Sequence, residues 1–385
     1  MNMQLEFLDP RKERAAVMGL WREFAEAAPP RSYFLSPGYV ATWLDHLPAD
    51  VDVRLAVVRQ DGEAVAVAFA GHGRVVRQQV FRSDAWLLNQ TGRQATDQVY
   101  IEDNDFLCRG NANFSLGELL EQLPGRWDEF YLSGIDPQGA VGRMLERTGK
   151  PYDVFVMNRI PAPYVDLAAL AESKKDYVAA LGSNTRSQVR RCYKLYEQRG
   201  ALVTEVASSV TAAIDIFEEL VRMHQHWWGL RGEKGAFANG WFYNFHRALV
   251  ERRFGTGEMQ LVRVRCGDAT IGCIYNFVWN GRVFFYQSGF RPEEDNKLKP
   301  GYVCHTEAIR HSLSAGLSVY DFMASFDEYK VRMSTQQREL VWARVQKPRV
   351  KFAVERAMRA GALKAISKYQ ERKKPSRGRV AGAVC

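Results

Sequence analysis

Val283-Phe-Phe-Tyr-Gln-Ser-Gly-Phe-Arg-Pro-Glu-Glu-Asp-Asn-Lys-Leu-Lys-Pro-Gly-Tyr302 changes character twice along its length. An apolar, aromatic strand delivers the chain to a polar loop, and the loop ends at Pro300-Gly301, where a helix starts. Unpaired N–H groups at such a start, together with the helix dipole, favour an anion. Lys297 and Lys299 place positive charge just upstream, and Gly301 leaves room for close backbone approach to a ligand. The combination suits a phosphate or pyrophosphate. The same residues also read as a solvated loop before an ordinary helix.

Downstream, Tyr320-Asp-Phe-Met-Ala-Ser-Phe-Asp-Glu-Tyr-Lys330 is an acid-bearing strand, expected over Val319 to Met323, followed by a charged turn. Lys330, near an apolar cleft, can stabilise negative charge developing on a carbonyl or phosphate oxygen. Asp321 or Glu328 could take a proton from an attacking amine or hydroxyl. A salt-bridged surface turn is the plainer reading. Upstream, Arg186, Arg190 and Lys194 fall at i, i+4 and i+8, one positive stripe that suits an anionic ligand or a solvated helix face. His224-Gln-His-Trp-Trp228 ends another helix with high aromatic density, which core packing explains.

The whole chain has 385 residues, 46% hydrophobic and 12% aromatic, enough for sizeable cores and too apolar for general disorder. No apolar run approaches the ~18 to 20 residues of a membrane span. The N-terminus turns acidic at once and lacks the order of a signal peptide, so a cytoplasmic protein is expected. The net charge of +9 collects in residues 346–385, where twelve Lys or Arg face Glu355 and Glu371 alone. Residues 1–345 are nearly neutral, which argues against a surface built throughout for nucleic acid. Six cysteines lack any C-x-x-C pair, and His224 and His226 point apart on a helix, so no metal is expected.

Patterning gives mixed α/β throughout. Val51 to Gln60 and Glu63 to Ala70 form a hairpin around Asp61-Gly62. Leu55 to Val67 lines up with Leu261 to Cys273, each a strand, tight turn and strand, and each half later feeds a helix into a short aromatic strand. Duplication is the reading, with two α/β domains side by side around a cleft. A strand over Tyr152 to Ile160 is followed by Pro161 and Pro163, which mark the boundary. The expected units are 1–162, 163–346, and a basic helix (Val350 to Tyr369) with tail at 347–385. Asn184 is read as the N-cap of a helix that exits at Gly200, and a last strand as lying near Glu339 to Val345.

These clusters occur together in one family. From about Ser173 to Ser334 the chain resembles the acetyltransferase-like domain shared by CelD-type cellulose-biosynthesis proteins and Fem peptidyltransferases, within the GNAT acyltransferase superfamily. The resemblance rests on Ser183-Asn-Thr-Arg-Ser-Gln-Val-Arg-Arg191 closing with Gly200, His224 with Trp228, Tyr286-Gln-Ser-Gly-Phe290, Pro300-Gly301, Tyr320-Asp-Phe322 and Tyr329-Lys330. It implies two tandem GNAT-like domains, each a mixed twisted sheet flanked by helices. It also implies acyl transfer to an amine or hydroxyl, from acyl-CoA (usually acetyl-CoA) or, in Fem enzymes, from aminoacyl-tRNA. By this resemblance Lys330 acts at the transferring acyl group; in an acyl-CoA reaction Asp321, Glu328 or a water would be the base, and Tyr286 or Tyr329 would protonate the leaving thiolate. Gln287, Lys297, Lys299, Gly301 and Tyr302 would hold the donor, and Arg186, Arg190, His224 and Trp228 the acceptor side. Relatives commonly carry Ser where Lys299 stands, and Gly residues where Met323, Ala324 and Ser325 stand.

Three functions are consistent with these residues. The first is an acyl-CoA-dependent N- or O-acyltransferase acting on a small molecule or glycan of the cell envelope or an exopolysaccharide. The second is a Fem-like transferase whose basic tail and Arg186 stripe track tRNA. The third is a non-catalytic partner in polysaccharide assembly, docked by its C-terminal helix and tail on anionic lipid at the inner membrane face.

Overall fold

The computed structural model describes residues 3–77, 80–110 and 112–358. Thirteen strands lie among the described residues: β1 (Met3–Leu8), β2 (Val53–Gln60), β3 (Glu63–Arg77), β4 (Phe81–Leu88), β5 (Leu107–Cys108), β6 (Glu129–Ile135) and β7 (Asp153–Asp166) in the first half. The second half adds β8 (Leu202–Val206), β9 (Met259–Cys266), β10 (Ala269–Trp279), β11 (Arg282–Phe290), β12 (Val319–Asp321) and β13 (Gln336–Gln346). All belong to one sheet, ordered β1-β2-β3-β4-β6-β13-β7-β12-β11-β10-β9-β8, with β5 attached to β3.

The two halves repeat one plan. Four antiparallel strands, β1 to β4, are followed by a helical crossover to β6, which pairs parallel to β4. Strands β8 to β11 do the same, with the helix Pro300–Ser314 crossing to β12 parallel to β11. The paired hairpins expected from sequence, β2–β3 and β9–β10, occupy equivalent places. Each half then lends its last strand to the other: β7 pairs with β12, and β13 pairs with β6, while β7 and β13 pair with each other.

Pro161 and Pro163 therefore do not end a strand. Both lie inside β7, whose register with β13 runs through Glu339↔Pro161 and Gln337↔Pro163. Alternate residues of a strand face the same edge. At these two positions the carbonyls are called on from the stretch just past β12, accepting from Phe322 N–H at Pro163 and Ser325 N–H at Pro161. The missing proline N–H groups go unused there. The boundary at 162/163 thus falls within a continuous strand.

One core is private to the second half, a second joins first-half residues with Val341, Ala343 and Val345 of β13, and the third draws widely on both halves. Trp21, Phe24, Tyr33 and Phe34 of the first half pack in one cluster with Phe217, Phe242, Phe245, Tyr275 and Phe277 of the second. Where a cleft between halves was expected, this face is filled with rings. Tyr33 and Phe277 lie 4.5 Å apart between centroids. Two smaller expectations change as well. The helix Ser183–Glu197 has Gly182 at its N-cap, and Asn184 instead accepts from Gln188 one turn on. Residues 350–358 are helical, and the rest of the expected helix and the basic tail lie outside the described residues.

Candidate functional site

The site begins where β11 and β12 part. They pair over Arg282–Phe284 and Val319–Asp321 only. Met323 then takes φ 60°, a left-handed conformation that a side chain disfavours, and turns the chain away from β11. Phe322 and Ser325 bond back to β7, while β11 continues to Phe290 along β10. Tyr286 is the extra residue of a β-bulge: Tyr275 faces Gln287 and Asn276 faces Phe285. The result is a wedge-shaped opening between the end of β12 and the second half of β11.

Lys330, on the short helix Glu328–Met333, donates from Nζ to Phe322 O at 2.8 Å and lies 5.3 Å from the centre of the Phe285 ring. Burial pulls its pKa down, and Glu102 opposes that pull. Glu102 comes from the first half. Both its carboxylate oxygens accept from Ala324 N–H, at 2.9 and 3.0 Å. Its pKa is pushed up to about 8, by burial first and by Asp321 second. The loop that delivers it carries left-handed φ values at Tyr100 (46°) and Asp103 (49°). With Met323, three non-glycine residues in this conformation converge here, each costing roughly 1–3 kcal/mol.

Beside Glu102 lies a tightly paired network. Arg338 grips Asp103 with two bonds of 2.5 and 2.7 Å and reaches Asp321 at 3.0 Å; Arg282 reaches Asp321 at 3.0 Å as well. Burial works to raise the Asp321 pKa, but Arg338 and Arg282 outweigh it and hold it below the usual value.

The first half has an equivalent parting of β4 and β6, and its own chain fills it. Asn104 Nδ2 donates to Leu88 O at 3.0 Å, its backbone N–H donates to Gly134 O at 3.1 Å, and its Oδ1 accepts from Asn89 at 2.7 Å. One residue thus bridges both strands, its side chain bonded to the β4 side and its backbone to β6. Only the second opening is free of such a bridge among the described residues.

A wedge between parallel strands, with a crossover helix starting beside it, is the plan expected from the resemblance. Residues 183–331 match the acetyltransferase (GNAT) domain family. The second half of this chain carries a GNAT domain. The fold likeness extends across both halves, in keeping with a Fem-like, tandem GNAT architecture. A conserved protein of unknown function from Bacteroides thetaiotaomicron is 11% identical and superposes with a TM-score of 0.51, covering 90% of this chain and 100% of that one. FemX is 10% identical, TM-score 0.50, covering 88% and 96%. L-PGS from Bacillus licheniformis is 11% identical, TM-score 0.50, covering 89% and 94%. At these identities the likeness is one of fold. The search of curated proteins returned no match.

Within the GNAT domain, the residues singled out from sequence separate into groups. Lys330, Asp321 and Tyr329 gather at the opening, with Tyr329 5.9 Å from the His305 ring and its hydroxyl pKa raised by burial. Tyr286 turns into the shared core and donates its hydroxyl proton to Val99 O at 3.1 Å. Glu328 points to solvent and pairs with Arg332. Gln287 is half-buried on β11.

On the donor side, Lys297 is exposed, and Lys299 donates to Gln188 at 2.7 Å while lying over the Tyr302 ring. The helix Pro300–Ser314 starts with no side-chain cap; Pro300 brings no N–H, and Tyr302 N–H donates to Lys299 O at 3.0 Å. Gly301 has a different reason from the one expected. A β-carbon there would sit 3.3 Å from the Phe290 ring, so its small size serves packing. Tyr302 is buried in the second-half core.

The helix stripe does not reach the opening. Arg186 bonds Ala179 O, while Arg190 and Lys194 are exposed and line a shallow surface groove with Asp176 and Arg310. His224 spends both nitrogens on structure, Nδ1 on Ser288 O at 3.0 Å and Nε2 on Ala236 N–H at 3.3 Å, and Trp228 packs 6.0 Å from it. Sequence reasoning missed Glu102, Asp103, Arg282 and Arg338. The visible trace was the acidic run Glu102-Asp-Asn-Asp105 between apolar Ile101 and Phe106.

Proposed function

We propose that this protein is an acyltransferase whose second domain takes an acyl group, acetyl being the simplest, from acyl-CoA and passes it to an amine or hydroxyl. The observation that carries the reading is the strand opening left unbridged among the described residues, with the half-buried Lys330 inside it. The uncapped helix start at Pro300, flanked by Lys297 and Lys299, fits the donor's phosphates. In the reaction, the acceptor's lone pair adds to the thioester carbonyl carbon and the π pair moves onto oxygen. Return of that pair breaks the C–S bond and releases thiolate. Glu102, a buried carboxyl at the opening, takes the acceptor's proton, which ends on the thiolate sulfur. Asp321, neutralised by two arginines, is a weaker base than Glu102.

Calorimetry with coenzyme A and acetyl-CoA tests this. Micromolar binding to the protein is expected, lost in Lys297→Ala/Lys299→Ala. Absence of binding at millimolar ligand would exclude the acyl-CoA donor. It would shift weight to an aminoacyl-tRNA donor, which the exposed Arg190, Arg191 and Lys194 would favour and which salt should weaken steeply. No helix among the described residues is long and apolar enough to cross a membrane.

A further inference from the structure

His305, one and a half turns into the helix Pro300–Ser314, is fully buried. It ends a chain of buried polar groups. Ser312 Oγ donates to Ala308 O at 2.7 Å and accepts from Gln260 Nε2 at 3.3 Å. Gln260 Oε1 accepts from Asn276 Nδ2 at 2.7 Å. Burial pushes the Tyr320 hydroxyl pKa well above its usual value, and the Asn276 amide beside it opposes that pull. The Tyr320 hydroxyl lies 3.1 Å from His305 Nδ1, within reach to donate its proton there. A neutral imidazole that accepts at Nδ1 carries its hydrogen on Nε2.

That Nε2–H has no partner among the described residues. It belongs to a ring packed against Phe285 (4.4 Å), Phe322 (5.2 Å) and Tyr329 (5.9 Å) at the opening of β11 and β12. Lys330 Nζ lies over the same Phe285 ring, with Phe322 O as its acceptor and at least one hydrogen to spare. Two N–H donors therefore lie against the same Phe285 ring, one of them buried with no partner among the described residues. Burial first, and Lys330 second, push the imidazole pKa down to about 3, so it stays a neutral donor at ordinary pH. His246 is also buried with a free Nε2, but it sits in the shared aromatic core and burial alone shifts it, with no cation beside it.

We infer that His305 Nε2–H and Lys330 Nζ together hold the carbonyl oxygen of the donor's acyl group, with Tyr320 positioning the imidazole by fixing its tautomer. This rests on the acyl-CoA reading above. Both donors face the atom that gains negative charge when the acceptor adds, the arrangement that stabilises an oxyanion.

The test compares acetyl-CoA with coenzyme A, which lacks the carbonyl, by calorimetry and by isotope-edited infrared spectroscopy of acetyl-CoA labelled at the carbonyl carbon. In the native protein the bound carbonyl stretch should fall below that of free acetyl-CoA. In His305→Ala it should move back toward the free value. Acetyl-CoA affinity should drop about tenfold, with coenzyme A affinity unchanged. Tyr320→Phe keeps the ring and removes the orienting proton; it should give the same direction of shift, and it carries the test if His305→Ala fails to fold. Normal acetyl-CoA binding with an unmoved carbonyl stretch in a folded variant overturns the inference and leaves the acyl-CoA reading intact. Binding of neither ligand to the native protein overturns both.

Discussion

Glu102 concentrates the electrostatic tension of the site. Its neighbours Asp103 and Asp321 have arginine partners, whereas its own carboxylate rests on one backbone N–H. Because its folded pKa, about 8, lies above the ordinary carboxyl value of 4.5, the folded state holds the proton more tightly than the unfolded chain. Stability is then lost as pH rises from about 4.5 to about 8 and levels off above that. Glu102→Gln cannot ionise and escapes this loss. Thermal melts from pH 5 to 8.5 should show the variant gaining on the native protein as pH rises. A gap that does not change with pH would mean the carboxyl titrates normally.

At the scale of elements, the helix Val210–Leu230 lies close against the second half of β11. A β-carbon at Gly289 would come within 2.4 Å of Leu220 O and 2.8 Å of Met223 Cβ. Helix and strand approach as closely as glycine allows, and His224 then reaches Ser288 O. Gly289→Ala must push the helix off the strand, an overpacking that should cost about 1–3 kcal/mol in urea denaturation. A loss near zero would show that the helix has room to slide. The helix and the strand were both legible from periodicity, and so was β10, because each carries a one-element signal. That β12 stops at Asp321 was not, since Val319 to Met323 remains apolar to its end. The turn at Met323 answers to its bonds with β7, far off in sequence.

The whole molecule behaves as one body because its halves are interlocked. β7 and β13 are exchanged, and the largest aromatic cluster draws on both halves. Unlike two beads on a linker, neither half closes its own sheet. Residues 1–162 or 163–346 expressed alone should lack a cooperative thermal transition, whereas the full chain should melt in one step by circular dichroism and calorimetry. Two separated transitions in the full chain would contradict this coupling.

The sequence alone determined the mixed α/β plan, the duplication, the helix start at Pro300 and the placing of Lys330 near a strand end. Periodicity, turn residues and helix starts are written in neighbouring residues, so short windows carry them. Tertiary structure alone decided that Glu102 enters the second domain's site, that Asp103 and Asp321 share Arg338, and that Asn104 bridges the first opening. It also decided that Pro161 and Pro163 sit inside a central strand. Each of these depends on which chain segments meet across more than a hundred residues, or on which strand edge goes unpaired. Pairing energies of that kind exist only once the sheet has closed.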